Sequence, residues 1–407
     1  MRDRALRVMD ECARFAEMTE EPGRITRRYL TPPMHSVHNH LRDRMEKLGM
    51  RVRVDAAGNL RGLWEPRESG EKRLIIGSHL DSVPNAGAYD GVLGVAVALE
   101  WIQMAGEMDL PFTIEAIGFS EEEGVRYGVP FLGSTAVAGC FDRRLLDLRD
   151  EEGLTLEQTI RSFGLDPAAI DEAKIGNDVI GFIEVHIEQG PVLEASDLSV
   201  AAVTGIVGQT RGILTFTGHA NHAGTTPMHL RRDALAAAAE WISIVEGLAL
   251  RSEGLVATVG QIRIQPNAVN VIPGTAEVSL DCRHVEDAVR TCAANELLAR
   301  AGEIAGRRGL ETEWNELVNQ AAVPMDPHLT ALMADAIREA GLSKKRMTSG
   351  AGHDAMIMAS RVPATMLFVR SPGGISHDPS ESVLIEDVEA SLHVARKFLE
   401  RLASTLR

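Results

Sequence analysis

Cysteine is scarce: Cys12, Cys140, Cys282 and Cys292 are the only four in 407 residues, and no two form a C-x-x-C pair. So few thiols in so long a chain exclude a disulfide framework and fit a reducing compartment. Long apolar runs are missing as well. No stretch of about 18 apolar residues occurs, which removes a membrane-spanning helix. Met1 to Glu20 is charged and amphipathic, with Ala5, Val8, Cys12 and Phe15 on one stripe, where an export signal needs an unbroken apolar segment. Basic charge is in deficit, 42 Lys and Arg against 58 Asp and Glu, and the resulting −16 speaks against nucleic acid or anionic membrane as partners. Internal repeats and low-complexity tracts are also lacking. A cytoplasmic protein is expected.

What is there falls into two kinds of territory. At 407 residues the chain exceeds the size at which one hydrophobic core keeps growing, so at least two domains are expected. From Arg51 to about Val207, strand-like runs (Arg51 to Val54, Arg73 to Gly77, Phe112 to Phe119, Val179 to Val185) alternate with helical stretches such as Gly91 to Met104. The same alternation resumes after Pro327, with a helix from His328 to Ala340, a strand from Ala364 to Val369 and a helix from Ile385 to Leu402. This predicts an α/β domain, a mostly parallel sheet with helices on both faces, over residues 1–208 and 327–407. Between them, Gly208 to Thr217, Leu255 to Gln265, Gly274 to Cys282 and Leu310 to Leu317 read as strands, with helices at Arg231 to Leu248 and Val285 to Arg307. That β-α-β-β-α-β order predicts an inserted α+β domain of the ferredoxin-like kind over 209–326, a lid on the first domain. Asp150 to Asp178, rich in charge and helix formers, reads as an insertion.

Five side chains of the kinds that bind metals follow apolar runs. They are His79 in L-I-I-G-S-H-L-D, Asp90 in A-Y-D-G, Glu123 in F-S-E-E-E-G, His186 in F-I-E-V-H-I-E-Q-G and His377 in G-G-I-S-H-D-P. In open α/β sheets functional residues gather outside the carboxyl ends of the strands, which would bring all five to one edge. One bridging Asp plus two ligands for each of two divalent ions accounts for the five and leaves positions for water and substrate. Asp81, two residues after His79, is placed to accept the other ring N–H of that His. Glu122 remains beside Glu123, with its carboxylate free to act on water. A lone His at a strand end is more often structural, so the weight lies in the five occurring together. By contrast His35, His38 and His40 follow Pro32-Pro33 without accompanying carboxylates and read as helix-surface residues. Gly87 and Gly91 read either as turn glycines or as points of close backbone approach.

The segments G-S-H-L-D-S-V-P-N-A-G-A-Y-D-G-V-L-G-V, F-S-E-E-E-G-V-R-Y-G, E-V-H-I-E-Q-G-P-V-L-E, G-H-A-N-H-A-G-T-T-P-M, N-A-V-N-V-I-P-G, S-G-A-G-H-D-A and S-H-D-P-S-E span nearly the whole chain. Together they closely resemble the amidase/hydantoinase/carbamoylase family, metal-dependent amidohydrolases of the dinuclear-zinc exopeptidase superfamily. The resemblance implies that Asp90 bridges, that His79 and His186 hold one ion and Glu123 and His377 the other, that Glu122 is the general base, and that Asp81 orients the site. It implies that His222 of the lid stabilises the oxyanion in the partner subunit of a homodimer formed through the lid. Arg283 would pair with a substrate carboxylate, Asn270 and Gln189 would read carboxylate or ureido edges, and the Gly350-Ala351-Gly352 backbone would approach the same ligand. His219, His229 and His353 are left as supporting or structural groups. The peptide after Asp90 is expected to be cis. The implied substrates are small ureido-carboxylates, with allantoate favoured over N-carbamoyl-L-amino acids and N-carbamoyl-β-alanine, although Ser82-Val83-Pro84 is closer to the carbamoylases. Dipeptidases and deacylases of the superfamily usually carry a carboxylate where this chain has His186. The ions would be Zn²⁺ or Mn²⁺, with Co²⁺ or Ni²⁺ also compatible with His/carboxylate sites.

Overall fold

The computed structural model describes residues 1–66 and 70–406. Its larger sheet is built around four parallel strands, Thr113–Phe119, Arg73–His79, Val179–Ile187 and Ala364–Val369, side by side in that order. Every residue of Thr113–Phe119 and Ala364–Val369 is buried, as expected where a parallel sheet is covered on both faces. Antiparallel strands flank this centre. Arg51–Val54 and Leu60–Trp64 extend one side, and Val200–Ile206 the other, all antiparallel. The reason is local: Arg51–Val54 turns back into Leu60–Trp64 within five residues, too few for a parallel crossover, and the Asp55 carboxylate caps the turn by accepting from the Ala57 and Asn59 amides.

The crossover helix Val92–Ala105 is apolar nearly all round, and all of it but Gln103 is buried. It contacts the strands ending at His79 and Phe119, and Trp101 meets Phe398 of the C-terminal helix Ile385–Leu406 at 5.8 Å. Leu74, Ile76, Ile183, Val185, Leu367 and Val369 face this helical layer. In the alternation of the pleat, Phe119 and Phe182 belong to the opposite face, where their rings meet edge-on at 5.7 Å. The 150–178 segment packs as well, with Leu156, Ile160, Ile170 and Ala173 joining Tyr29, Tyr127 and Leu132 in a separate cluster. Among the described residues no helix is long and apolar enough to cross a membrane.

The chain divides into two compact units, residues 1–204 with 325–407, and residues 205–324. In the second, Ile262–Gln265, Thr275–His284, Gly208–Thr217 and Glu311–Gln320 form an antiparallel sheet in that order. Helices Ala234–Arg251 and Asp287–Arg308 cover its Leu214, Phe216, Val278 and Leu280 face through Trp241 and Leu297. This is the β-α-β-β-α-β order, with one change. The run expected from Leu255 to Gln265 is broken into Val256–Thr258 and Ile262–Gln265, because the Ser279 hydroxyl takes the Gly260 and Gln261 amides that would have continued the ladder.

His38 also departs from expectation. On the helix Pro32–Lys47, His35 is exposed and stacks on Phe163 at 3.6 Å, and His40 pairs with Glu11 at 2.7 Å. His38 instead points into the core, 3 % exposed, edge-on to Phe163, with no hydrogen-bond partner for either ring nitrogen among the described residues. The helical period carries it to the stripe of Met34, Leu41 and Met45. Burial, with His35 and Arg42 nearby, drops its imidazole to about 3. In the unfolded chain the same group titrates near about 6.5. Between those values the unfolded chain holds a proton that the folded chain refuses, so this contribution is full above about pH 6.5 and declines as pH falls toward about 3. Replacing His38 by Met should therefore reduce the loss of stability between pH 7 and pH 5 by roughly 1–2 kcal/mol in urea melts. Equal losses in variant and wild type would refute the assignment.

Candidate metal centre

The carboxyl ends of the four parallel strands supply the centre. His79 is the last residue of its strand, and His186 is the penultimate residue of Val179–Ile187. Glu122 and Glu123 follow Phe119 through a tight turn in which Glu121 has φ +51°. His377, φ +57°, comes from the loop after Ala364–Val369, and Asp90 from the loop before Val92–Ala105.

Asp90 is at the middle of the group. Its Oδ1 is 3.2 Å from His186 Nε2 and 3.6 Å from His79 Nε2, and its Oδ2 is 3.2 Å from His377 Nε2. Glu123 Oε1 is 3.6 Å from the same nitrogen of His377. Two trios result, His79–Asp90–His186 and Asp90–Glu123–His377, each with ligand atoms within 4.8 Å of one another. The chemistry of these groups fits cations. Asp90 Oδ1 is buried without a hydrogen-bond partner among the described residues, an arrangement that costs free energy unless something else satisfies the oxygen. Burial opposes its ionisation, yet His186, His377 and His79 hold its carboxyl well below the usual range. Glu122 goes the other way, pushed well above the usual range by burial and by the Glu123, Asp354 and Asp81 carboxylates, against the pull of His79. Burial pushes Glu123 up to about 7. So many buried carboxylates are poorly neutralised by the chain alone, and divalent cations would offset them. Trios with metal-compatible spacing also occur at His79–Glu122–Glu123 and Glu184–His186–His353.

Two expectations need correction. The second ring nitrogen of His79 meets the Asp81 backbone carbonyl at 3.0 Å, while the Asp81 carboxylate is 3.7 Å away. That carboxylate is committed elsewhere: it accepts the Glu122 and Glu123 amides at 3.0 and 3.1 Å, and so fixes the turn that presents both glutamates. The peptide after Asp90 is not cis, and the only cis bond among the described residues is Gln265–Pro266. The chain reverses through Gly91 instead, at φ +67° and ψ −55°, where a Cβ would overlap the His79 ring. Close approach, rather than turn formation alone, accounts for that glycine.

The substrate-side candidates divide between the units. In the first, Gln189 Nε2 donates to Asp90 Oδ2 at 3.0 Å and to Ser376 Oγ at 3.1 Å. Ala351 is tied into a tight loop by Ser349, whose hydroxyl accepts the Ala351 amide and donates to its carbonyl, beside the exposed Gly350. In the second unit, His222 lies on the short Asn221–His222 strand paired with Val271–Ile272. Its ring is exposed and Nδ1 accepts the Gly224 amide at 3.1 Å, which puts the proton on Nε2. Asn270 is exposed, and its carbonyl accepts the Ala223 amide. Arg283 engages Asp281 through Nε and a terminal nitrogen, both at 2.8 Å.

Several further polar groups surround the centre. Glu184 is buried and accepts from Ser78 Oγ and the Ala355 amide, and Asp354, fully buried, follows His353, whose ring lies 4.3 Å from that of His186. An acidic residue inside the apolar run F-I-E-V-H was the available signal for Glu184. Ser376 and Glu381 were in view within S-H-D-P-S-E, without a reason to single them out.

Residues 75–401 match the family described as Peptidase family M20/M25/M40. The allantoate deiminase of Arabidopsis thaliana is 35% identical over 439 residues, covering 98% of this chain and 82% of that protein. An N-carbamoyl-L-amino acid amidohydrolase from Geobacillus stearothermophilus is 36% identical over 401 residues, 98% of each chain. Among solved structures, an amidase of the hydantoinase/carbamoylase family from Burkholderia multivorans superposes with a TM-score of 0.92 at 32% identity, covering 98% of this chain and 97% of that one. The two trios around Asp90 are thus found in a chain that belongs to the peptidase family M20/M25/M40, among its hydantoinase/carbamoylase amidases.

Proposed function

We propose that this protein hydrolyses a carbon–nitrogen bond of a small ureido-carboxylate, with allantoate as substrate, using two divalent ions per subunit, Zn²⁺ or Mn²⁺. The observation that carries the reading is Asp90, one oxygen toward His79 and His186 and the other toward His377, with Glu122 buried alongside. Bound ions would polarise the ureido carbonyl and make water acidic enough to attack near neutral pH. Glu122 takes the proton of the attacking water and returns it to the leaving nitrogen, which a ureido carbon releases poorly without protonation. Asp81 holds the amides of the Glu122–Glu123 turn. Water adds at the ureido carbon, ammonia leaves, and the remaining carbamate loses carbon dioxide. Allantoate then gives ureidoglycine, which takes up a second water and loses a second ammonia to become ureidoglycolate.

Recognition is assigned to the second unit and to Gln189. His222, protonated on Nε2, donates to the developing oxyanion in the partner subunit of a homodimer. The exposed apolar side chains Met228, Leu230, Val256, Ile262 and Val269 support a partner surface on that unit. Asp281 fixes the plane of the Arg283 guanidinium, and Arg283 pairs with the substrate carboxylate while Asn270 and Gln189 read carboxylate or ureido edges and the Gly350–Ala351 backbone approaches the same ligand. The four unpaired cysteines suit a reducing cytoplasm. A second reading, hydrolysis of N-carbamoyl-L-amino acids, is favoured by the comparable identity to the Geobacillus enzyme and by Ser82-Val83-Pro84. A few pocket contacts worth about 1–3 kcal/mol each separate such substrates.

Ammonia release by the metal-reconstituted protein, measured with allantoate, N-carbamoyl-L-amino acids, N-carbamoyl-β-alanine and an acyl dipeptide, tests the reading. Allantoate should have the highest kcat/KM, and preference for the dipeptide would overturn the ureido assignment. Glu122→Gln should retain its metal and lose activity by about 10²–10⁴-fold, the usual worth of a positioned general base. Loss of metal, or near-normal turnover with metal bound, would exclude the role. Inactive His222→Ala and Glu122→Gln proteins, mixed and allowed to exchange subunits, should recover up to about one active site in four. No recovery after demonstrated exchange would show that the sites are not shared.

A further inference from the structure

Glu381 lies four residues beyond His377 and is buried, 5 % exposed. Its Oε1 accepts the backbone amides of Tyr89 at 2.9 Å and Asp90 at 3.1 Å, and its Oε2 is 3.1 Å from Ser376 Oγ. Gly87 makes the space, since a Cβ there would overlap the Glu381 carboxylate. One side chain therefore ties the Asp90 loop to the His377 loop.

The hydrogens around Ser376 then have to be counted. Its hydroxyl is within bonding distance of Gln189 Nε2 at 3.1 Å, Glu381 Oε2 at 3.1 Å and Asp90 Oδ2 at 3.3 Å. The amide nitrogen of Gln189 can only donate, so the single hydroxyl proton goes either to Glu381 or to Asp90. Asp90 Oδ2 is the oxygen that faces His377, and it already receives an N–H from Gln189 at 3.0 Å. A second proton on that oxygen would occupy the lone pair a cation needs.

We propose that Glu381 is a positioning residue that draws the Ser376 proton away from Asp90 Oδ2 and so keeps this oxygen open to the ion on the His377 side. Oδ1, toward His79 and His186, is outside the contest, so the two ions should respond differently. The inference rests on the two-ion reading above.

Glu381→Gln keeps size and shape but changes who holds the proton. Its amide oxygen has to stay on the Tyr89 and Asp90 N–H groups, because an NH₂ there would oppose two donors. The NH₂ then donates to Ser376, whose proton is left on Asp90 Oδ2. Calorimetric titration of metal-free protein with Mn²⁺ or Zn²⁺ should find two ions per subunit in the wild type. In Glu381→Gln one ion should bind about 10- to 100-fold more weakly, the other within a few-fold of wild type. Adding Ser376→Ala removes the competing proton and should restore the affinity, a rescue that loss of mere structural support would not allow. Gly87→Ala, by displacing the Glu381 carboxylate, should give the same one-site weakening by a second route. A wild type that binds a single ion would overturn the two-ion reading. Two ions in the wild type with unchanged affinities in Glu381→Gln, or with both sites weakened and no rescue by Ser376→Ala, would overturn the inference alone.

Discussion

A carboxylate buried among three imidazoles is the constraint on which the rest of the first unit turns. Asp90 is 5 % exposed, with Oδ1 unpartnered among the described residues. Holding an anion so far from water demands compensating charge and hydrogen bonds from every side. The surrounding structure can be read as meeting that demand. Four parallel strands end together, so that His79, His186 and the Glu122–Glu123 turn reach one place, and the Gly91 backbone comes close enough to touch the His79 ring. Asp81 and Glu381 spend their carboxylates on backbone amides, and so hold loops that no regular hydrogen-bond ladder supports.

Much of this was legible in the residues, for identifiable reasons. Apolar runs such as L-I-I-G-S-H and F-I-E-V-H are long enough to be buried strands, and a polar residue at the end of each stands out against them. The motif segments placed the five ligand candidates in order. What was not legible depended on through-space detail. Whether Asp81 meets His79 by its side chain or its main chain is a difference of 0.7 Å, 3.0 against 3.7 Å, and spacing of two residues allows both. Leu60–Trp64 was not legible as a strand because it is short and carries an arginine, Arg61, that reads as exposed. It is in fact buried against Glu115 at 2.7 Å.

His38 illustrates the same limit. Periodicity alone puts it on the inner stripe of its helix, but composition argued for the surface, and the tertiary cluster with Phe163 decided between them. In the second unit the secondary structure order was plain, while the break after Thr258 depended on Ser279, far along the chain, which captures two amides. Local pattern predicts elements well when one face must be buried, and poorly when a distant polar side chain competes for the backbone.

The order of the central strands has a consequence for synthesis. Val179–Ile187 needs Ala364–Val369 as its parallel neighbour, and the 205–324 unit is made between them. From His186 to His377 a ribosome adds 377 − 186 = 191 residues, roughly 10–40 s at about 5–20 residues per second. Throughout that interval the emerging chain carries a hydrophobic strand with an open edge, the kind of surface that pairs with whatever is at hand. Asp90 likewise waits for its third imidazole. A chaperone that shields the Val179–Ile187 edge would therefore act at a defined stage of translation, after the first four ligand candidates have left the ribosome and before the fifth exists.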